Sequence, residues 1–259
     1  MKLIAFHNLG NTCYINSVLQ CFINDPYFQK KIKKRSGGIY DLLNEIKVDL
    51  SVNDNFKYDK YNLENVTSFF RNKFKKFQQY DSHEFLLELL ETLNLKSYSG
   101  TINSNIVCLK CNSVNSTLEN FYTIDLPVLH SNLIENFMEY LKKENIHEYD
   151  CEKCNCKTEC QKKMYLNKLP KTLIIVLKKY NGNIESTFTD LKIKETISGN
   201  IYNYLLYAVI YHYGTLDNGH YNCSVKINDN WYFIDDDKIY LNNDKLNYKN
   251  CYILFYKRY

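Results

Sequence analysis

The chain has 259 residues, 45% of them hydrophobic, and its 33 basic and 29 acidic side chains leave a formal net charge of +4. That is enough apolar material for one large domain or two small ones, and too little net charge for the field that would hold a nucleic acid. No N-terminal stretch reads as a signal peptide and no run of about eighteen apolar residues could span a bilayer, so the expectation is a soluble intracellular protein, cytoplasmic or nuclear, with no membrane partner and monomeric by default.

The first predicted element is a helix from Thr12 to Ile23, where Ile15, Val18, Leu19 and Phe22 fall at i, i+3, i+4 and i+7 and Pro26 follows. The basic run from Lys30 to Arg35 reads as a solvated face. Gly37-Gly38 and the polar stretch from Asp49 to Asp59 read as connections around one or two further helices. A second well-specified helix opens at Asp81 or Ser82, with Glu84 placed for a capping box and Leu86, Leu89, Leu90 and Leu93 on one face. Beyond about residue 100 the pattern changes to short Val-, Ile-, Thr- and Tyr-rich runs. These include Thr172–Lys178, Tyr204–Tyr211, Tyr221–Ile227, Trp231–Ile234 and Tyr252–Tyr256, with Asn228-Asp229-Asn230 as a hairpin turn. The class is α+β, helical at the start and an antiparallel sheet at the end.

Ten cysteines in a chain with no export signal point to metal ligation, catalysis or buried thiols rather than disulfides. Cys13 lies in a turn-prone stretch leading straight into the first helix, where the macrodipole and free backbone N–H groups favour a thiolate and could stabilise an oxyanion. Asn8 could add its side-chain amide to that anion. A distant histidine is required as base, and His220 follows Gly219 at the start of a β-run. The strand Trp231–Ile234, returning after the hairpin turn, can bring Asp235 beside His220 to fix its tautomer. Three consecutive aspartates, Asp235 to Asp237, otherwise suit a solvated turn. Cys108-x-x-Cys111 and Cys151-x-x-Cys154 are two knuckles that together make a tetrahedral thiolate set suited to zinc, although Cys156 could replace Cys154. Cys156 and Cys160 are otherwise spare.

The stretch Asn8-Leu9-Gly10-Asn11-Thr12-Cys13-Tyr14-Ile15-Asn16-Ser17-Val18-Leu19-Gln20 resembles the cysteine box of the ubiquitin-specific proteases almost letter for letter. Gly219-His220-Tyr221 with Trp231-Tyr232 and Asp235-Asp236 resembles the histidine box, and Gln78-Gln79-Tyr80-Asp81-Ser82-His83-Glu84-Phe85-Leu86 the Gln-rich box of the same family. Further matches, Leu169–Tyr180 and Tyr252–Arg258, extend the resemblance over nearly the whole chain. It implies a papain-like fold with a helical thumb (about 1–100), fingers tipped by a zinc ribbon (101–170) and a β palm (171–259). It also implies Cys13 as nucleophile, Asn8 as oxyanion donor, His220 as base, Asp235 as the third member and Asp236 as a hydrogen-bonding support. Ubiquitin and ubiquitinated proteins are the implied partners. Asp81 would meet ubiquitin's basic C-terminal tail, unless it serves only as a helix cap, and His212, Tyr221, Gly219 and Tyr14 would wall the channel for the Gly-Gly end. The four cysteines would hold a structural Zn2+. Rival readings are a protease for another ubiquitin-like modifier, a non-catalytic ubiquitin-binding scaffold and a zinc-ribbon nucleic-acid binder.

Overall fold

The computed structural model describes residues 3–46, 58–179, 184–185, 188–215, 218–242 and 246–259. In chain order its elements are β1 (Leu3–Phe6), α1 (Cys13–Ile23), α2 (Pro26–Ile32), α3 (Ile39–Glu45), β2 (Tyr58–Tyr61), α4 (Glu64–Phe69) and α5 (Ser82–Leu93). There follow β3 (Gly100–Cys108), β4 (Val114–Phe121), β5 (Thr123–Pro127), α6 (Leu133–Tyr140), β6 (Glu144–Cys151) and β7 (Cys156–Lys168). The chain closes with β8 (Thr172–Lys178), β9 (Asp190–Lys194), β10 (Ile201–Gly214), β11 (Gly219–Ile227), β12 (Asn230–Asp235), β13 (Lys238–Asn242) and β14 (Cys251–Arg258). The architecture is α+β. Among the described residues no helix is long and apolar enough to cross a membrane.

Two compact units emerge, Met1–Leu95 with Leu206–Phe255, and Lys96–Leu205 with Tyr256–Tyr259. In the first, α1 packs on both α5 and β11 and is buried along its entire length. Val18, Leu19, Phe22, Leu86, Leu89 and Leu90 have no exposed surface, and each contributes about 1.5–3 kcal/mol through burial. The polar side chains on this helix answer to fixed partners, as burial demands: Gln20 donates to the carbonyl of Ile4 at 2.6 Å and Asn16 to Asp236 at 2.8 Å. Asp81 caps α5 by accepting from the N–H of His83 at 2.8 Å, and Asn94 ends it in the left-handed conformation. Glu84, expected to complete a capping box, turns to Lys73 at 3.8 Å instead.

The order β13-β12-β11-β10 is antiparallel throughout, and the β11–β12 hairpin turns on Asn228 and Asp229, both at positive φ, with Ile227 opposite Asn230. The turn falls where the sequence placed it, but Asn230, read as part of it, already belongs to β12. Two strands lie in the part of the chain before residue 100, which was read as helical. β1 and β2 pair in parallel, Leu3 with Tyr58 through Phe6 with Tyr61, so the end of the stretch read as a connection is strand. The rest of that stretch lies outside the described residues, as does Tyr180.

In the second unit β8 is buried from Thr172 to Leu177, as its apolar run requires, but it pairs in parallel with β5. The sheet chemistry is therefore not wholly antiparallel, because the long excursion through β6 and β7 lets the chain return in the same direction. A separate antiparallel sheet in the order β4-β3-β7-β6 carries the four cysteines at one end.

Candidate active site

Cys13 is the first residue of α1 and 3% exposed. The preceding Thr12 makes no side-chain cap; its hydroxyl accepts from the N–H of Leu9 at 2.9 Å instead. The first N–H groups of the helix are thus left without a capping side chain, and the positive end of the helix dipole lies at Cys13. The loop that delivers Cys13 is organised by Asn8, whose Oδ1 accepts from the N–H of Gly10 at 3.0 Å and of Thr12 at 3.2 Å. Gly10 has φ +96°, and a Cβ there would fall 2.4 Å from the ring of Phe77, so only glycine fits.

His220 stands at the start of β11 with Nε2 2.5 Å from Asp235 Oδ1. The β11–β12 register, carried one pair past Cys223 and Ile234, sets Asp235 opposite Asn222, so His220 is its diagonal neighbour on the same face. With Nε2 engaged, Nδ1 is the ring nitrogen left for the thiol. Contact with the Cys13 thiol, and then the Asp235 carboxylate, raise the imidazole to about 9 against the opposing effect of burial. The ring is therefore favoured in its charged form beside the thiol.

The three neighbouring aspartates diverge. Asp235 takes His220. Asp236, with φ 49°, turns the other way and accepts from Asn8 Nδ2 and Asn16 Nδ2, each at 2.8 Å. Burial pushes its carboxyl up from the usual carboxylate range, and the two amides work against that rise. Asp237 pairs with Lys60 at 2.6 Å. The Asn8 amide spends one N–H on Asp236, which leaves its second N–H free to donate.

Asp81, besides capping α5, accepts from the Tyr252 hydroxyl at 2.7 Å. His212 stacks on Tyr221 with ring centroids 4.5 Å apart. His212 Nε2 and the Tyr221 hydroxyl are buried with no hydrogen-bond partner among the described residues, and burial lowers the His212 pKa, keeping it neutral. Gly219 sits against this pair: a Cβ would lie 2.4 Å from His212 Nε2 and 2.3 Å from the carbonyl of Thr215. Tyr14 is 3% exposed, about as buried as Tyr221, with its ring among Phe74, Tyr80 and Phe85 at 5.7–5.9 Å.

Sequence reasoning missed three residues: Asn16, Gln79 and Tyr252. Asn16 left a signal, an amide on a helix whose other faces are apolar. Gln79 and Tyr252 lie in stretches that carry the family resemblance, but neither received a role, since their partners are reached only by the fold.

Cys108, Cys111, Cys151 and Cys154 bring their sulfurs within 4.8 Å of one another, with Cys108–Cys154 at 3.9 Å and Cys111–Cys151 at 3.7 Å. An ion held tetrahedrally at about 2.3 Å by four thiolates sets them about 3.8 Å apart, so the cluster fits one metal ion. The Thr158 hydroxyl is the chief cause that lowers Cys108 to about 5, while neighbouring sulfurs, Cys111 first, drive Cys154 up to about 12. So close a set cannot all ionise without a cation. Cys156 is exposed and outside the cluster; Cys160 is buried opposite Cys108 in the sheet.

Comparison with known proteins places the chain in a family. The model of the family "Ubiquitin carboxyl-terminal hydrolase" matches residues 4–256. Ubiquitin carboxyl-terminal hydrolase 23 of Arabidopsis thaliana is 24% identical over 98% of this chain and 35% of its own length. Probable ubiquitin carboxyl-terminal hydrolase 8 of Schizosaccharomyces pombe is 25% identical over 97% of this chain and 64% of its own. The chain thus spans between about a third and two thirds of these relatives. Among solved structures, the SAGA Ubp8/Sgf11/Sus1/Sgf73 DUB module bound to ubiquitin aldehyde includes a chain with the same fold, at TM-score 0.77 and 23% identity, covering 98% of this chain and 69% of that one. With a matching family model across nearly its whole length, this chain belongs to the ubiquitin carboxyl-terminal hydrolase family.

Proposed function

We propose that the protein is a deubiquitinase, a cysteine protease that hydrolyses the peptide or isopeptide bond after the C-terminal glycine of ubiquitin. The observation that carries this reading is the meeting of Cys13, His220 and Asp235 at an uncapped helix start, with Asn8 held beside it by Asp236. The Cys13 thiolate attacks the glycine carbonyl. The developing oxyanion is met by the N–H groups at the head of α1 and by the free N–H of Asn8. His220, charged at neutral pH, gives its proton to the lysine amine as the carbon–nitrogen bond breaks, leaving a thioester. It then takes a proton from the water that releases the ubiquitin carboxylate and restores the Cys13 thiol. Asp235 keeps the ring turned with Nδ1 towards sulfur.

His212, Tyr221 and Gly219 form the wall for the tail, since two buried polar atoms with no partner suit the backbone of an extended peptide. Asp81 offers a carboxylate towards the tail's basic residues as well as its cap. The cysteine set holds a structural Zn2+, which supplies cohesion to the sheet and takes no part in the chemistry. The protein works as a monomer in the cytoplasm or nucleus, and its residues 1–100, 101–170 and 171–259 correspond to thumb, fingers and palm.

A ubiquitin carrying a C-terminal electrophile tests the reading. A covalent adduct with the wild type, absent in Cys13→Ala and absent with a second ubiquitin-like protein, is expected. An adduct only with the other modifier would move the substrate and keep the mechanism. None with either, from folded protein, would favour a binding scaffold.

A further inference from the structure

The short segment between α4 and α5 holds both halves of the site. Gln79 binds one residue twice: its Nε2 donates to the carbonyl of Gly219 at 2.8 Å and its Oε1 accepts from the N–H of Gly219 at 3.1 Å. A single side chain thereby satisfies both backbone groups of the residue just before His220, as a neighbouring strand would. Two positions earlier, the Phe77 carbonyl accepts from Asn11 Nδ2 at 2.8 Å, and the Phe77 ring lies over Gly10. That contact is made at a cost: Phe77 is a bulky residue at φ 61°, with its ring 70% exposed. Two positions later, Asp81 fastens the segment to α5 and to Tyr252. Alternate residues therefore grip the nucleophile's loop, the histidine's strand and the following helix.

We infer that Gln79 is a positioning residue that sets His220 against Cys13, with Phe77 anchoring the same strap to the Gly10–Asn11 turn. The inference rests on the cysteine-protease reading of the site but not on ubiquitin as the substrate. Gln79 touches no reacting atom. It acts through Gly219, whose carbonyl and N–H it holds together. Loss of its two bonds frees the start of β11 to drift and with it the imidazole that must meet the thiol.

The test is the rate of Cys13 alkylation by iodoacetamide across pH, read on the Cys13 peptide by mass spectrometry. The wild-type profile is the reference for every variant. In Gln79→Ala the rate near pH 6.5 should fall about tenfold or more, with the profile displaced towards that of a free thiol and the rate at high pH unchanged. Gln29→Ala is the control. It removes a side-chain bond to the carbonyl of Ile23 in the same unit, and it should alter thermal stability without moving the profile. If Gln79→Ala does not fold, Gln79→Glu carries the same expectation, because its carboxylate opposes the Gly219 carbonyl. A profile for the Gln79 variant that superimposes on the wild type overturns the inference. Since iodoacetamide needs no ubiquitin, a displaced profile beside a protein that captures no ubiquitin would sink the substrate reading and leave the strap standing.

Discussion

In α1 every residue from Cys13 to Ile23 is buried, whereas in β4 every residue from Val114 to Asn120 is exposed. The helix is fixed by apolar contacts on all sides and by buried amides with assigned partners. The sheet that contains β4 has little core of its own, and its small buried cluster is Cys108, Cys151 and Cys160, with Cys111 and Cys154 against it. One region takes its order from water exclusion, the other from a set of thiols whose mutual repulsion a cation would relieve. The difference teaches where each region is vulnerable: the first to changes of shape, the second to loss of an ion.

Chelation should separate them most sharply. Treating the full chain with a strong zinc chelator, or replacing Cys151 by Ser, should abolish the cooperative melting of the four-stranded sheet, seen as loss of amide-exchange protection over β3 and β7. The alkylation rate of Cys13 should change by less than about twofold, because the helix head is held by other forces. Equal damage to both would break the comparison. A smaller effect, confined to chemistry, is expected from Asn8→Ala. It removes an oxyanion donor, so kcat should fall by about 10²–10³ with KM little altered. The loop also loses the bonds to Gly10 and Thr12, so thermal stability should drop measurably, and a fall in stability without a fall in kcat would assign Asn8 to structure alone.

The smallest effect concerns the proton on His220. Its pKa is raised from 6.5 to about 9, so the charged ring is favoured by folding. The stability it adds is fully present below about 6.5 and is lost as pH rises through about 9. An NMR titration of the His220 ring should place the transition near the upper value in the wild type and lower it in Cys13→Ala, since the thiol is the largest cause of the rise. A ring that titrates identically in both proteins would show that the pair is not coupled.

Much of this was legible in the chain. The apolar spacing of α1 and α5, the run that makes β8 and the turn at Asn228-Asp229 all carry local signals that burial then rewards. The four-stranded sheet was harder, for β4 reads Val-Asn-Ser-Thr-Leu-Glu-Asn-Phe and lacks the alternation that a one-sided core imposes. The parallel partnership of β1 with β2 depends on pairing across more than fifty residues, for which periodicity offers no signal. Within the site, residue types and motif spacing singled out Cys13, His220 and Asp235, but the grip of Gln79 on Gly219 is a bond to backbone, and backbone has the same chemistry at every position.

The run Asp235-Asp236-Asp237 looks redundant, yet each carboxylate serves a different customer: the histidine, the two asparagines and Lys60. Their assignments depend on their order at the end of β12 and in the two-residue reversal before β13, not on their identity. A conservative replacement at one position therefore disturbs one contact. The in-frame loss or gain of a single codon would reassign all of them at once while leaving the amino-acid composition of the turn almost unaltered. At this point in the gene, length is under tighter restraint than chemistry, and insertions or deletions should be tolerated less than any single substitution.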